Sequence, residues 1–107
     1  MSFRVRHLKY LLGWLIAGTR GGFTRAQIIM ALKENPQNAN QLTNLLKMDY
    51  KTIRHHLEVL KKNGLITSVG ERYGTTYFLS PEMEENYALL EEIWKRIWEK
   101  EKRKENK

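Results

Sequence analysis

Between Tyr50 and Glu58 the chain places Tyr50, Lys51, Thr52, Arg54, His55 and Glu58 around the apolar residues Ile53 and Leu57. Read as a helix, the stretch puts Ile53, Leu57 and Leu60 on one side at spacings of four and three. Tyr50, Lys51, Arg54, His55 and Glu58 are then left on or near the other side. That face offers donors, acceptors and a planar guanidinium able to bond bidentately to a guanine edge or a phosphate. Its chemistry is recognition of a polyanion. Bond-making chemistry has no comparable support: no nucleophile and base, carboxylate pair or phosphate loop stands at useful spacing, so an enzyme is not expected. Gly18, Gly21 and Gly22 lack the preceding strand and the Lys that a phosphate loop requires.

Arg54 is the leading base reader. Lys51, Thr52 and His55, with Tyr50 beside them, suit bases or phosphates, and sequence alone does not divide those roles. Further on, Arg72 and Tyr73 occupy a basic, aromatic segment between two short strands, suited to a minor groove or a phosphate, against the alternative of a solvated turn. Arg25, Asn40 and Gln41 lie near helix N-termini, where phosphates bind well, although Asn40 and Gln41 serve equally as caps. Lys61 is a further candidate phosphate contact. His55 and His56 are adjacent, so on a helix they point about 100° apart and cannot share an ion; His56 reads as a packed or phosphate-facing residue.

The whole chain supports this chemistry. It has 107 residues, 41% hydrophobic and 29% charged, which is the length and profile of one folded domain. A net charge of +7 favours polyanionic partners. From Met1 to Lys33 there are six bases and no acid, from Glu34 to Ser80 six bases meet four acids, and from Pro81 onward eight Glu face seven bases. The excess charge therefore sits in the first eighty residues. With no Cys, disulfides, thiolate metal sites and cysteine nucleophiles are excluded together. Arg4, Arg6 and Lys9 before an apolar run mimic a signal peptide, but no small-x-small site follows and the run is far shorter than the ~20 residues of a membrane span. No membrane association and a cytoplasmic, nucleoid-associated location are expected.

Six elements must position the candidate residues. Val5, Leu8, Leu11, Leu12, Leu15 and Ile16 mark a first helix over 3–17. Thr24 with Gln27 has capping-box spacing, with Phe23 and Ile28 as a staple, predicting a second helix from Arg25 to about Lys33. Asn38 with Gln41 repeats that spacing and opens a short third helix ending near Lys47. Asp49 caps the fourth, about 49–63, with Met48 and Ile53 as a staple and Gly64 as the left-handed stop. Leu65 to Val69 and Thr75 to Leu79 form a hairpin around Gly70 to Gly74. Ser80 and Pro81 open a last helix running to about Arg103. Its stripe of Tyr87, Leu90, Trp94, Ile97 and Trp98, together with Leu8, Leu12 and Leu15, exceeds what a small core absorbs and is assigned to a dimer interface. Glu91, Glu92, Lys95 and Arg96 are read as a solvated, salt-bridged face.

Helix, short helix, tight connection, helix and hairpin is the order of a winged helix-turn-helix. The fold class is therefore mainly α with a small β-hairpin wing (α+β), its 24–79 core flanked by N- and C-terminal dimerisation helices within one domain, 1–107. The run Leu42 to Ile66, with Thr52-Ile53, His56-Leu57 and Leu60 on the fourth helix and Gly64-Leu65-Ile66 opening the wing, resembles the signature of ArsR-like winged-helix transcriptional regulators. The resemblance spans roughly Phe23 to Leu79. It implies a homodimer that binds double-stranded DNA at a pseudo-palindromic operator, with the recognition helix in the major groove and wing 65–79 on the flanking backbone. Metal-sensing members carry paired Cys before the recognition helix, or Asp and His pairs on the last helix. This chain has neither, so no metal and no cofactor are expected. The compact form and the Lys- and Glu-rich tail resemble prokaryotic regulators, archaeal ones among them. The competing reading is a winged-helix protein-interaction module of a transcription or chromatin assembly, whose exposed face would be apolar or acidic rather than basic.

Overall fold

The computed structural model describes residues 3–105, which fall into two compact units, one formed by Gln27–Glu85 and the other by the segments flanking it. Helix α2 (Gly22–Glu34) crosses from the flanking unit into the central one. After it the central unit holds α3 (Ala39–Leu46), α4 (Tyr50–Lys62), strands β1 (Ile66–Val69) and β2 (Thr76–Leu79), and the short α5 (Pro81–Glu85).

The caps written into the sequence start α3 and α4. Asn38 and Gln41 form a reciprocal capping box: the Gln41 amide donates to Asn38 Oδ1 at 2.8 Å, and the Asn38 amide donates to Gln41 Oε1 at 2.8 Å. Two otherwise orphaned N–H groups are satisfied at once. Asp49 caps α4 by accepting from the Thr52 amide at 3.2 Å. From α4, Ile53, Leu57 and Leu60 are fully buried, meeting Leu42 of α3 and Leu65 and Ile66 at the start of the hairpin in the same core. Each such side chain contributes about 1.5–3 kcal/mol on burial. Gly64 closes the helix at φ 74° as expected.

The turn from α3 into α4 uses an unexpected residue. Lys47 takes the left-handed conformation (φ 54°, ψ 46°), and both its amide and that of Met48 bond to the Thr43 carbonyl, Met48 at 3.3 Å. An L-residue with a Cβ is disfavoured there. Lys47→Gly is therefore expected to raise stability by about 0.5–1 kcal/mol, a rise of a few degrees in Tm, checked by thermal denaturation.

The hairpin pairs Ile66 with Leu79, Thr67 with Phe78, Ser68 with Tyr77 and Val69 with Thr76, each strand one residue shorter than predicted. Its tip is a 3₁₀ turn, Arg72–Gly74. Gly70 sits at φ 100°, where a Cβ would stand 2.6 Å from the Gly74 carbonyl oxygen; the other left-handed residue of the tip is Arg72, at φ 53°, not Gly74. A one-residue third strand joins the wing: Tyr77 N–H donates to the Gln37 carbonyl at 2.8 Å and Gln37 N–H to the Tyr77 carbonyl at 3.2 Å. The sequence reading has no strand at Gln37.

The flanking unit contains α1 (Phe3–Leu12), a π-helical turn over Gly13–Ala17, the start of α2, and α6 (Tyr87–Glu105). The turn closes with the Gly18 amide bonded to the Gly13 carbonyl at 2.9 Å, five residues back. Leu8, Leu12, Leu15, Ile16, Leu90 and Ile93 are buried in the single chain. Phe23 stacks on Trp94 with ring centroids 5.0 Å apart, and Trp94 on Trp98 at 5.8 Å.

Several expectations are corrected here. α2 begins at Gly22, so Thr24 lies inside the helix and the Thr24–Gln27 box does not form: the Gly22 amide already bonds to the Thr19 carbonyl, and that of Arg25 to the Gly21 carbonyl. Phe23 packs on indoles rather than stapling. The last helix is two helices, broken at Asn86, where the Leu89 amide bonds to the Asn86 carbonyl three residues back instead of four. Leu8, Leu12, Leu15 and Leu90 fill the unit's own core and are not free for a second chain. Glu91, Glu92, Lys95 and Arg96 are exposed, and among the described residues no ion pair joins them.

Candidate nucleic-acid interface

Helix α4 presents the candidate residues because its apolar stripe leaves them no other direction. Lys51 and His55 are exposed one turn apart; Tyr50 and Arg54 are half-buried on the adjoining row, which continues to exposed Glu58. Thr52 is turned back to the cap, its hydroxyl 3.4 Å from Asp49 Oδ2. His56 is buried, on the core side of α4 with Ile53 and Leu57. Lys61 and Lys62 are exposed in the last turn, where cations are favourable to the helix dipole.

The wing completes the surface. Tyr50 and Arg54 from α4, with Arg72 and Tyr73 from the tip, line an open cleft of about 460 Å³. Two guanidiniums and two phenols thus face one depression, and Tyr73 is 78% exposed. The lining residues offer guanidinium donors and aromatic faces, so the walls can stack or donate.

Arg54 is held before anything binds. Its Nη1 donates to the Tyr77 hydroxyl at 3.0 Å, and its Nη2 lies 3.7 Å from Glu58 Oε1, one turn along. Tyr77 was not singled out in the sequence, where it reads only as a strand residue. Its signal was an aromatic hydroxyl on a short strand that follows a helix rich in bases.

Three proposed phosphate contacts stand elsewhere. Arg25 is a correction: it is 6% exposed, its Nε donates to the Leu15 carbonyl at 2.9 Å and its Nη2 to Thr19 Oγ1, so it ties the end of the π turn and cannot reach a phosphate. Burial lowers its pKa below the ordinary guanidinium value. Gln41 gives its carbonyl oxygen to the Asn38 cap, while Asn40 is exposed beside it. Among the described residues no group of three or more His, Asp or Glu is placed to hold a metal ion, and no helix is long and apolar enough to cross a membrane.

Residues 23–68, from the first turn of α2 through β1, match the model of the bacterial regulatory proteins of the ArsR family. Over that stretch, somewhat less than half of its length, the chain is similar to the ArsR family, and its fold is a winged helix-turn-helix. Solved structures agree on the fold of this ArsR-like chain. Reduced HlyU from Vibrio cholerae matches with a TM-score of 0.62 at 22% identity, covering 85% of this chain and 94% of that one. A homodimeric winged helix-turn-helix DNA-binding domain from Mycobacterium bovis, described as a possible ArsR-family transcriptional regulator, matches at 0.63 and 21%, covering 92% of each. A probable transcriptional regulator from Pseudomonas aeruginosa matches at 0.59 and 26%, covering 81% of this chain and 69% of that one. No curated protein matches. The matched family is one of bacterial regulatory proteins, not of enzymes.

Proposed function

We propose that this ArsR-like protein is a sequence-specific regulator of transcription that binds double-stranded DNA as a homodimer, without a metal. α4 enters the major groove and the hairpin lies on the flanking backbone. The observation that carries this reading is the cleft in which Arg54 of the helix and Arg72 of the wing face the same space. A groove about 12 Å wide admits α4 with Arg54, Lys51 and His55 toward base edges, leaving Arg72 and Tyr73 for the adjoining strand. The partner would be chromosomal DNA of the nucleoid, in the cytoplasm.

Homodimerisation is supported by the Mycobacterium bovis neighbour and by surface that the chain leaves uncovered. Phe3, Tyr10 and Trp14 recur at spacings of seven and four and are 78%, 76% and 60% exposed, and Trp98 is 47% exposed. Aromatic surface of this kind marks an interface. A two-fold dimer would place its recognition helices about 34 Å apart, matching an operator with inverted half-sites.

The test is selection from a random duplex pool, with affinity measured at several salt concentrations. The expected outcome is an enriched inverted repeat and a steep loss of affinity as salt rises. Arg72→Ala is expected to weaken binding about equally on enriched and random duplexes and to reduce the salt slope by roughly one. Shallow salt dependence with no enriched motif would instead favour a protein-docking module.

A further inference from the structure

The Arg54 guanidinium carries five N–H donors in a rigid plane, and its usefulness as a reader depends on where that plane points. Two groups contact it. Glu58 is exposed, on the same helix, and 3.7 Å away, beyond hydrogen-bond length. Tyr77 is 5% exposed and accepts from Nη1 at 3.0 Å. Tyr77 is also among the best anchored residues of the wing. Its backbone pairs with Gln37 on one side, through both N–H and carbonyl, and stands opposite Ser68 of β1 on the other. An arginine otherwise loses considerable rotamer freedom when it is fixed on a base, and fixing it beforehand removes part of that cost from binding.

We propose that Tyr77 is a positioning residue for sequence discrimination: its buried hydroxyl, fixed by the three-stranded edge of the wing, aims the Arg54 fork into the major groove. The inference rests on the DNA-reading function proposed above. One donor of Nη1 is taken by Tyr77; the second Nη1 hydrogen and those of Nη2 and Nε stay available for a bidentate contact with the O6 and N7 acceptors of guanine. The wing then has two roles, backbone contact at its tip and orientation of the reader at its base. Glu58, charged and solvated, is a weaker guide, because exposed ion pairs of this geometry are worth little.

The experiment compares the wild type, Tyr77→Phe, Arg54→Ala and the double variant on the selected operator and on random duplex. Tyr77→Phe removes one oxygen and no charge. The operator-to-random affinity ratio is expected to fall about threefold to tenfold, since a good bidentate base contact discriminates by about tenfold or more, while random-duplex affinity and salt slope stay at wild-type values. In the Arg54→Ala background the same change is expected to have no further effect on the ratio. The Arg54 Nε–Hε resonance of the free protein is expected to shift in Tyr77→Phe, and thermal unfolding shows that the variant is folded. An equal loss of ratio with and without Arg54, or no loss with Arg54 present, overturns the positioning role and leaves the DNA-reading function standing. If Arg54→Ala itself leaves the ratio unchanged, Arg54 is not a reader, and both that assignment and the role of Tyr77 fall together.

Discussion

Arg54→Ala is expected to reduce the ratio of operator to random-duplex affinity by about tenfold to a hundredfold, the range set by losing one bidentate base contact. The effect should concentrate at one base pair of each half-site, visible as relaxed preference there when selection is repeated with the variant. Three observations make this the largest binding effect. The side chain comes from the middle of a helix whose apolar face is fully committed to the core. It is held by Tyr77 in the free protein, so little ordering remains to be done on binding. It lines the cleft that also receives Arg72. A uniform loss on every sequence would reduce Arg54 to a phosphate contact. Stability should fall by about 1 kcal/mol because the Tyr77 hydroxyl loses its donor, and thermal unfolding checks that weaker binding is not unfolding.

The largest expected effect on folding lies at Gly22. A Cβ built there would stand 1.5 Å from the Ile16 carbonyl oxygen and 2.5 Å from its carbon, both backbone atoms. No rotamer change relieves such an overlap; the main chain itself must move apart. Gly22→Ala is expected to cost about 3 kcal/mol or more, lowering Tm by roughly 10–20 °C. Gly13→Ala is the matched control, since nothing lies within 4 Å of a Cβ at that position. There the substitution should be neutral or stabilising by up to about 1 kcal/mol. A small loss at Gly22, comparable with that at Gly13, would show that the close approach to Ile16 is not required by the fold.

The central unit was legible because its signals are local. The Asn38–Gln41 box, the Asp49 cap, the four-and-three stripe from Ile53 to Leu60 and the Gly64 stop each act within one or two turns, and each appears where the spacing puts it. What was hidden depends on partners distant in the chain. Arg25 sits near a helix start, as phosphate-binding residues often do, but the carbonyl it bonds belongs to Leu15, ten residues earlier. The hydrogen bond from Arg54 to Tyr77 crosses 23 residues, and the single-residue pairing of Gln37 crosses forty. Leu8, Leu12 and Leu15 were legible as apolar, yet whether an apolar stripe meets its own chain or another is not written in its period. The break at Asn86 was missed for a milder reason: the apolar spacing runs through it, and the interruption shows only in the backbone, where the Leu89 amide bonds three residues back to the Asn86 carbonyl.

The π turn at Gly13–Ala17 bears on how this chain is aligned with its relatives. A bond from Gly18 back to Gly13 encloses one residue more than a regular α-helical bond does. Everything before the turn is therefore advanced by one position, about 100° of helical phase, relative to an uninterrupted helix. Leu8 and Leu12 nevertheless point into the core together with Leu15 and Ile16. Spacings of four, three and one share a face in a regular helix too, so a relative whose first helix is uninterrupted aligns with these four residues without a gap.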